Sequence, residues 1–243
     1  MTTTIGSVLR DPRTARFAGL TLLLYFAAEW VVAASWRGQY GYRAIPTGPL
    51  GIEFCGPRGN WPCSALYPVM NVGFAVTGVA IAVLAVTWLA RRAIPVAGGV
   101  ALILSGAGLL IAGIITQRVD YDAHVAAMSV FYVFGALGVL FIGASDATGL
   151  SVPARAALIM GGALATVAYF AFVSGITGWL GDGGTERAII YPILISLLVA
   201  GVTGGNHGGY RVAGAASATD QPAIDDASGA TDEPELAATR NPA

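Results

Sequence analysis

Residues 67–90, YPVMNVGFAVTGVAIAVLAVTWLA, contain no charged side chain. A bilayer's hydrocarbon is about 30 Å thick and an α-helix rises about 1.5 Å per residue, so about 20 apolar residues are needed to cross it. This run is long enough. In lipid a backbone amide finds no water to bond, which forces such a run into a helix despite its Val, Ile and Gly. Its continuous apolarity also disfavours a strand of a membrane barrel, where apolar and polar residues alternate over about ten positions.

Five further runs of this kind accompany it, at 17–36, 93–116, 125–144, 156–176 and 188–204. The expected fold is therefore an all-α membrane protein, a bundle of six transmembrane helices over residues 17–205. A short segment, 1–16, precedes it and a tail, 206–243, follows. Composition agrees: charged residues are 11% of the chain, about half the usual globular share, and mean hydropathy is +0.67. The first run has some marks of a cleaved signal, with Arg10, Arg13 and Arg16 before it and Ala33, Ala34 and Ser35 at its end. Its length and its Glu29 favour a retained span instead.

Positively charged loops resist translocation, so the arginines predict orientation. With the amino terminus inside, Arg10, Arg13, Arg16, Arg91, Arg92, Arg155 and Arg211 lie on the cytoplasmic side, and Arg37, Arg43, Arg58, Arg118 and Arg187 lie outside. Six spans then place both termini in the cytoplasm, which predicts a multi-pass protein of the cell membrane. The long loop 37–66 falls on the oxidising side and holds the two cysteines of the chain, Cys55 and Cys63. A disulfide between them is expected to stabilise this Gly- and Pro-rich loop by about 2–3 kcal/mol. Two cysteines with no neighbouring histidine do not make a zinc site, and no metal or cofactor is expected.

Aromatic residues are expected to mark the interfaces: Trp36, Tyr40, Tyr42, Trp61, Tyr67, Tyr121 and Trp179 outside, Trp88 inside. Trp61 could equally meet a ligand. Close helix approach in lipid depends on small residues, which the many glycines supply, and Gly201 with Gly205 has the spacing of a dimer motif. In so glycine-rich a chain that pair reads as packing within one molecule. Beyond residue 205 the composition turns to Ala, Ser, Thr, Gly and Pro with Asp220, Asp225, Asp226, Asp232, Glu233 and Glu235. This reads as a disordered acidic tail in which His207 is solvated. Its charge argues against nucleic acid as a partner, and no phosphate-cradling loop with a lysine exists.

Function is sought among the polar residues in or beside the spans, since each costs about 2.5–3.5 kcal/mol near the bilayer centre. These are Glu29, Asn71, Arg118, Asp120, Asp122, His124, Glu186, Arg187 and Tyr191. Under the predicted topology all lie in the outer half. They suggest a polar pocket open to the outer face, with Glu29 as its deepest acid and Arg118 or Arg187 as its partner. The plainer reading makes the loop charges wet helix ends, with Glu186 capping the sixth helix and Glu29 bonding Asn71.

Several of these positions fall in a recognisable pattern. Ala28-Glu29-Trp30, then Tyr67-Pro68-Val69-Met70-Asn71 with Gly73 and Phe74, then His124, and finally Glu186-Arg187 followed by Tyr191-Pro192 resemble the bacterial and archaeal membrane family called domain of unknown function 998. The resemblance covers residues 17–205. It implies about six spans and carries no established activity; Glu29, Asn71, His124, Glu186 and Arg187 match the family's recurring polar positions. The family usually has an Ile-Ser-(Asp/Glu)-Leu-Gly segment in the first outer loop, where this chain has Ile45-Pro46-Thr47-Gly48-Pro49. A role for that acidic position does not carry over.

Three activities make different demands. A metal-dependent lipid hydrolase needs about three protein ligands, whereas His124 is the one histidine near the spans. Haem needs paired axial ligands inside the bundle. A proton-coupled transporter wants acids through both halves of the membrane or an inverted repeat. A non-catalytic protein binding a membrane lipid, or an unidentified membrane or extracytoplasmic protein, needs none of these and is the preferred expectation. A lipid-processing hydrolase comes second and a small-solute or proton-coupled transporter third.

Overall fold

A computed structural model describes residues 2–53, 55–56, 61–145 and 148–203. The acidic tail, Gly205, His207, Arg211 and Arg58 lie outside the described residues, and so does the tail's expected disorder. The helices are α1 (Thr2–Arg10), α2 (Pro12–Thr21), α3 (Leu23–Ala34), α4 (Tyr67–Ala90), α5 (Val96–Ile114), α6 (Tyr121–Ala144), α7 (Val152–Val173) and α8 (Gly181–Thr203). Among the described residues there is no strand. Six stretches of the described residues are long and apolar enough to cross a membrane: Pro12–Ala34, Tyr67–Ala90, Val96–Ile114, Tyr121–Ala144, Val152–Val173 and Gly178–Thr203.

Local chemistry sets the helix ends. Asp11 accepts the Arg13 N–H at 2.8 Å ahead of Pro12, Asp120 accepts the Ala123 N–H at 3.0 Å, and Ser151 accepts the Ala154 N–H at 3.4 Å ahead of Pro153. Each satisfies an amide that the first helical turn leaves without a partner. α2 and α3 form one span, joined at Leu22 by a tightened turn in which Leu22 N–H bonds Gly19 O and Tyr25 N–H bonds Leu22 O, each at 3.2 Å.

The second span matches its expected limits. The sixth does not: its helix begins at Gly181, well before residue 188, so Glu186 and Arg187 stand inside a helix and Glu186 is not its cap. Their side chains are drawn into the bundle by partners distant in sequence, which a local pattern of apolar residues does not register.

Consecutive helices pack closely where glycine permits. A Cβ on Gly78 of α4 would lie 2.4 Å from Gly106 O of α5, and one on Gly106 would lie 2.5 Å from Gly78 O. At the crossing of α2 and α8, a Cβ on Gly201 would lie 3.1 Å from the Cα of Gly19. Gly201 therefore serves packing within the molecule. Trp88 is a correction: instead of marking an interface it is 1% exposed in the core. The turn at Arg91–Arg92, with Arg92 at a φ of 51°, returns the chain at once and encloses this end of α4. Trp30, Trp61, Tyr121 and Trp179 are exposed.

The 37–66 segment closes one end of the bundle. Cys55 and Cys63 form the expected disulfide, with their Cα atoms 5.2 Å apart. Arg37 N–H bonds Cys63 O at 2.7 Å, Asn71 Nδ2 donates to Gly51 O at 3.1 Å, and Gly184 N–H bonds Arg43 O at 3.1 Å. The Ser64 hydroxyl lies 2.5 Å from that of Ser35 at the end of α3, so the segment is tied to α3, α4 and α8.

Candidate functional site

The sequence offered two arginines as partners for Glu29, and the geometry selects Arg187. Its Nε donates to Glu29 Oε1 at 2.6 Å, with the side chains 6% and 2% exposed. Tyr191, one turn along α8, donates its hydroxyl to Glu29 Oε2 at 2.8 Å. The remaining guanidinium donors reach Tyr42 O at 2.8 Å, Ile45 O and Gly183 O at 2.9 Å, and the Tyr40 hydroxyl. The cation also lies 5.6 Å from the Tyr40 ring centre and 4.9 Å from that of Tyr42. A planar cation with five donors suits such a junction. One residue of α8 thereby joins α3 to the carbonyls of the 37–66 segment.

Burial pushes the Tyr40 phenol up to about 12, against the opposing pull of the Arg187 cation. Burial also raises Tyr42, helped by the charge of Glu29 and opposed by Arg187.

Glu186, the preceding residue, serves a different set. Its Oε2 accepts the Thr47 N–H and its Oε1 accepts the Tyr132 hydroxyl, each at 2.6 Å. Among the described residues no cation pairs with it, although it is only 5% exposed. Glu186 and Tyr132 line a cavity of about 230 Å³ between α6 and α7, together with His124, Ser129, Tyr169 and Phe172, under Pro46 and Gln117. Exposed Val125 and Val173 flank its mouth. Tyr132 lies 6.4 Å from Tyr169 and 6.5 Å from Phe172 between ring centres.

His124 is 2% exposed. Its Nδ1 lies 3.1 Å from Ala112 O and 2.9 Å from Ile115 O, both acceptors at the end of α5. These contacts assign a proton to Nδ1, and in the neutral ring Nε2 is then an acceptor. That Nε2 is buried and, among the described residues, has no hydrogen-bond partner. A buried polar atom left unpaired is costly, and it is a place where a ligand atom would find a ready contact.

Asn71 and Arg118 stand apart. Asn71 bonds Gly51 rather than Glu29. Arg118 forms a half-exposed pair with Glu53, whose other oxygen accepts the Tyr67 hydroxyl at 3.2 Å. The predicted set therefore separates: Glu29, Arg187 and Tyr191 form a closed cluster, His124 and Glu186 share the cavity, and Asn71 and Arg118 fasten the 37–66 segment. Sequence reasoning missed Tyr132, Tyr169, Tyr40 and Gln117. A tyrosine in the middle of an apolar run was the available sign for the first two. A larger groove of about 420 Å³ beside α2 and α4 is lined by Phe17, Val76, Val79 and Val83. Its Thr14 and Thr21 hydroxyls bond backbone carbonyls, so it has little to orient a ligand.

Among the described residues, no three His, Cys, Asp or Glu side chains gather as a metal site. Comparison with protein-family models, curated proteins and solved structures finds no match.

Proposed function

We propose that this is a non-catalytic, multi-pass protein of the cell membrane that holds the polar end of a membrane amphiphile in the crevice between α6 and α7. The observation that carries this reading is the Nε2 of His124, without a partner among the described residues, beside a cavity that also holds Glu186 and Tyr132. Polar atoms at the bottom of a mostly apolar recess orient a ligand, while apolar walls exclude water. A mouth flanked by exposed valines on apolar helices suits a ligand arriving from lipid.

The proposal places the 37–66 segment on the extracytoplasmic face and both termini in the cytoplasm. The arginine distribution supports this, as does the disulfide, which belongs in an oxidising compartment. Alkaline phosphatase fused within 37–66 should be active, and fused at the Arg91–Arg92 turn inactive; the reverse pattern would invert the orientation. Membership of the domain of unknown function 998 family is part of the same proposal, supported by the polar positions 29, 71, 124, 186 and 187.

The test is native mass spectrometry of protein released from mild detergent. Wild type should carry a lipid-sized adduct that His124→Ala loses and Arg118→Ala, outside the cavity, keeps. An adduct retained equally by all three would remove the crevice from the proposal. A partner protein on the 37–66 segment, where Trp61 is exposed beside the disulfide, is the companion reading; an empty crevice with a copurifying protein would favour it. A hydrolase draws on the shared placement of His124 and Glu186, and turnover of lipid esters or amides lost in His124→Ala would establish it.

A further inference from the structure

We propose that the headgroup taken by the crevice is a protonated amine bearing at least one N–H, lodged between Glu186, His124 and the rings of Tyr132, Tyr169 and Phe172. This rests on the binding reading above and specifies its ligand class.

Charge is the first argument. The bundle buries two carboxylates at this end, and they are treated differently: Glu29 has Arg187 at 2.6 Å, whereas among the described residues Glu186 has hydrogen bonds but no counter-charge. A carboxylate removed from water without an opposite charge is held at a cost, which a ligand cation offsets. Among the described residues neither Arg nor Lys lines the crevice.

The balance of donors and acceptors is the second. Nδ1–H of His124 is taken by carbonyls at the end of α5, and in the neutral ring its Nε2 accepts. The Tyr132 hydroxyl donates to Glu186, and the Ser129 hydroxyl donates to Val125 O at 2.8 Å. The polar atoms lining the crevice therefore offer lone pairs. The phenol of Tyr169 and the amide of Gln117 can serve either role. A phosphate or carboxylate, which only accepts, would face Glu186 with no cation to answer it; an ammonium donates to the lone pairs.

The walls are the third. Aromatic faces around a cation attract it through their quadrupoles, the arrangement of ammonium-binding cages. Tyr132, Tyr169 and Phe172 supply three rings beside Glu186. At about 230 Å³ the cavity is smaller than the roughly 300–1,000 Å³ of drug-sized sites, so it suits a headgroup whose chain leaves past Val125 and Val173. The N–H requirement comes from His124, since a quaternary ammonium gives Nε2 nothing to accept.

The full chain in maltoside micelles is to be titrated with dodecylammonium, dodecyltrimethylammonium, dodecyl phosphate and dodecanol, with bound adducts counted by native mass spectrometry. One dodecylammonium should bind wild type and be reduced about tenfold or more in Glu186→Gln, the scale of one charge-assisted contact. Tyr169→Leu should show a similar loss while leaving the Glu186 to Thr47 bond in place, which covers a failure of the first variant to fold. Dodecyl phosphate or dodecanol binding as well as the amine, and lost in the same variants, would overturn the ammonium assignment and leave the crevice reading standing. Equal binding of the trimethyl probe would overturn the N–H requirement. No adduct on wild type, or adducts unaffected by either variant, would overturn both.

Discussion

Arg187 on α8 donates its Nε–H to Glu29 on α3 at 2.6 Å, across a separation of 158 residues. The pair closes the bundle between its first and last spans. Because the same guanidinium binds the carbonyls of Tyr42 and Ile45, it also sets where the 37–66 segment lies over the helix ends. The adjacent Glu186 holds Thr47 of that segment from the cavity side.

Arg187→Met leaves Glu29 as a buried carboxylate without its cation, and loss of about 3–5 kcal/mol is expected. The double variant Glu29→Leu, Arg187→Met should lose less than the sum of the single variants, because neither charge is then stranded. Unfolding in mixed micelles, followed by circular dichroism, gives the comparison; additive losses would show that the two side chains act independently.

Arg118→Ala provides the contrast. Its pair with Glu53 is 48% exposed on each side, and such pairs contribute about 0–1 kcal/mol. The same unfolding assay should show a shift in that range. A loss as large as that of Arg187→Met would mean that Glu53 and Arg118 fasten the segment far more firmly than their exposure implies.

Breaking the disulfide with Cys55→Ser should remove about 2–3 kcal/mol for so short a closed loop. Maleimide should label neither cysteine of the unreduced wild type and both after reduction. Labelling before reduction would show that the bond is not formed in the purified protein.

Gly106→Leu places a side chain where a Cβ alone would already meet Gly78 O at 2.5 Å. The obstruction is backbone, which cannot rotate away, so α4 and α5 must separate and packing contacts are lost. A fall in thermal midpoint with reduced monodispersity is expected; an unchanged midpoint would place the crossing elsewhere.

Tyr40 should titrate late. Its folded value of about 12 lies above the ordinary value of about 10, so the folded chain keeps the proton longer than the unfolded one. The corresponding stabilisation is whole below about pH 10 and is lost as pH rises toward 12. Absorbance at 295 nm, wild type against Tyr40→Phe, isolates this phenol; a difference spectrum centred near pH 10 would show that Tyr40 is solvated.

The sequence by itself determined the six helices, because the demand of lipid on backbone amides is local and acts on every residue of an apolar run. It also picked out Glu29, His124, Glu186 and Arg187, since a polar residue in such a run stands out by cost alone. It did not determine how they divide. Glu186 and Arg187 are neighbours in the chain, yet the helical turn sends one to Tyr132 and Thr47 and the other to Glu29 and Tyr40. That choice depends on which helices pack together and where the 37–66 carbonyls fall, and both are set by contacts between residues far apart in the chain. Tyr132 and Trp88 make the same point: composition sees an aromatic residue in an apolar run, and only the packed bundle decides whether it lines a cavity, fills the core or meets the lipid.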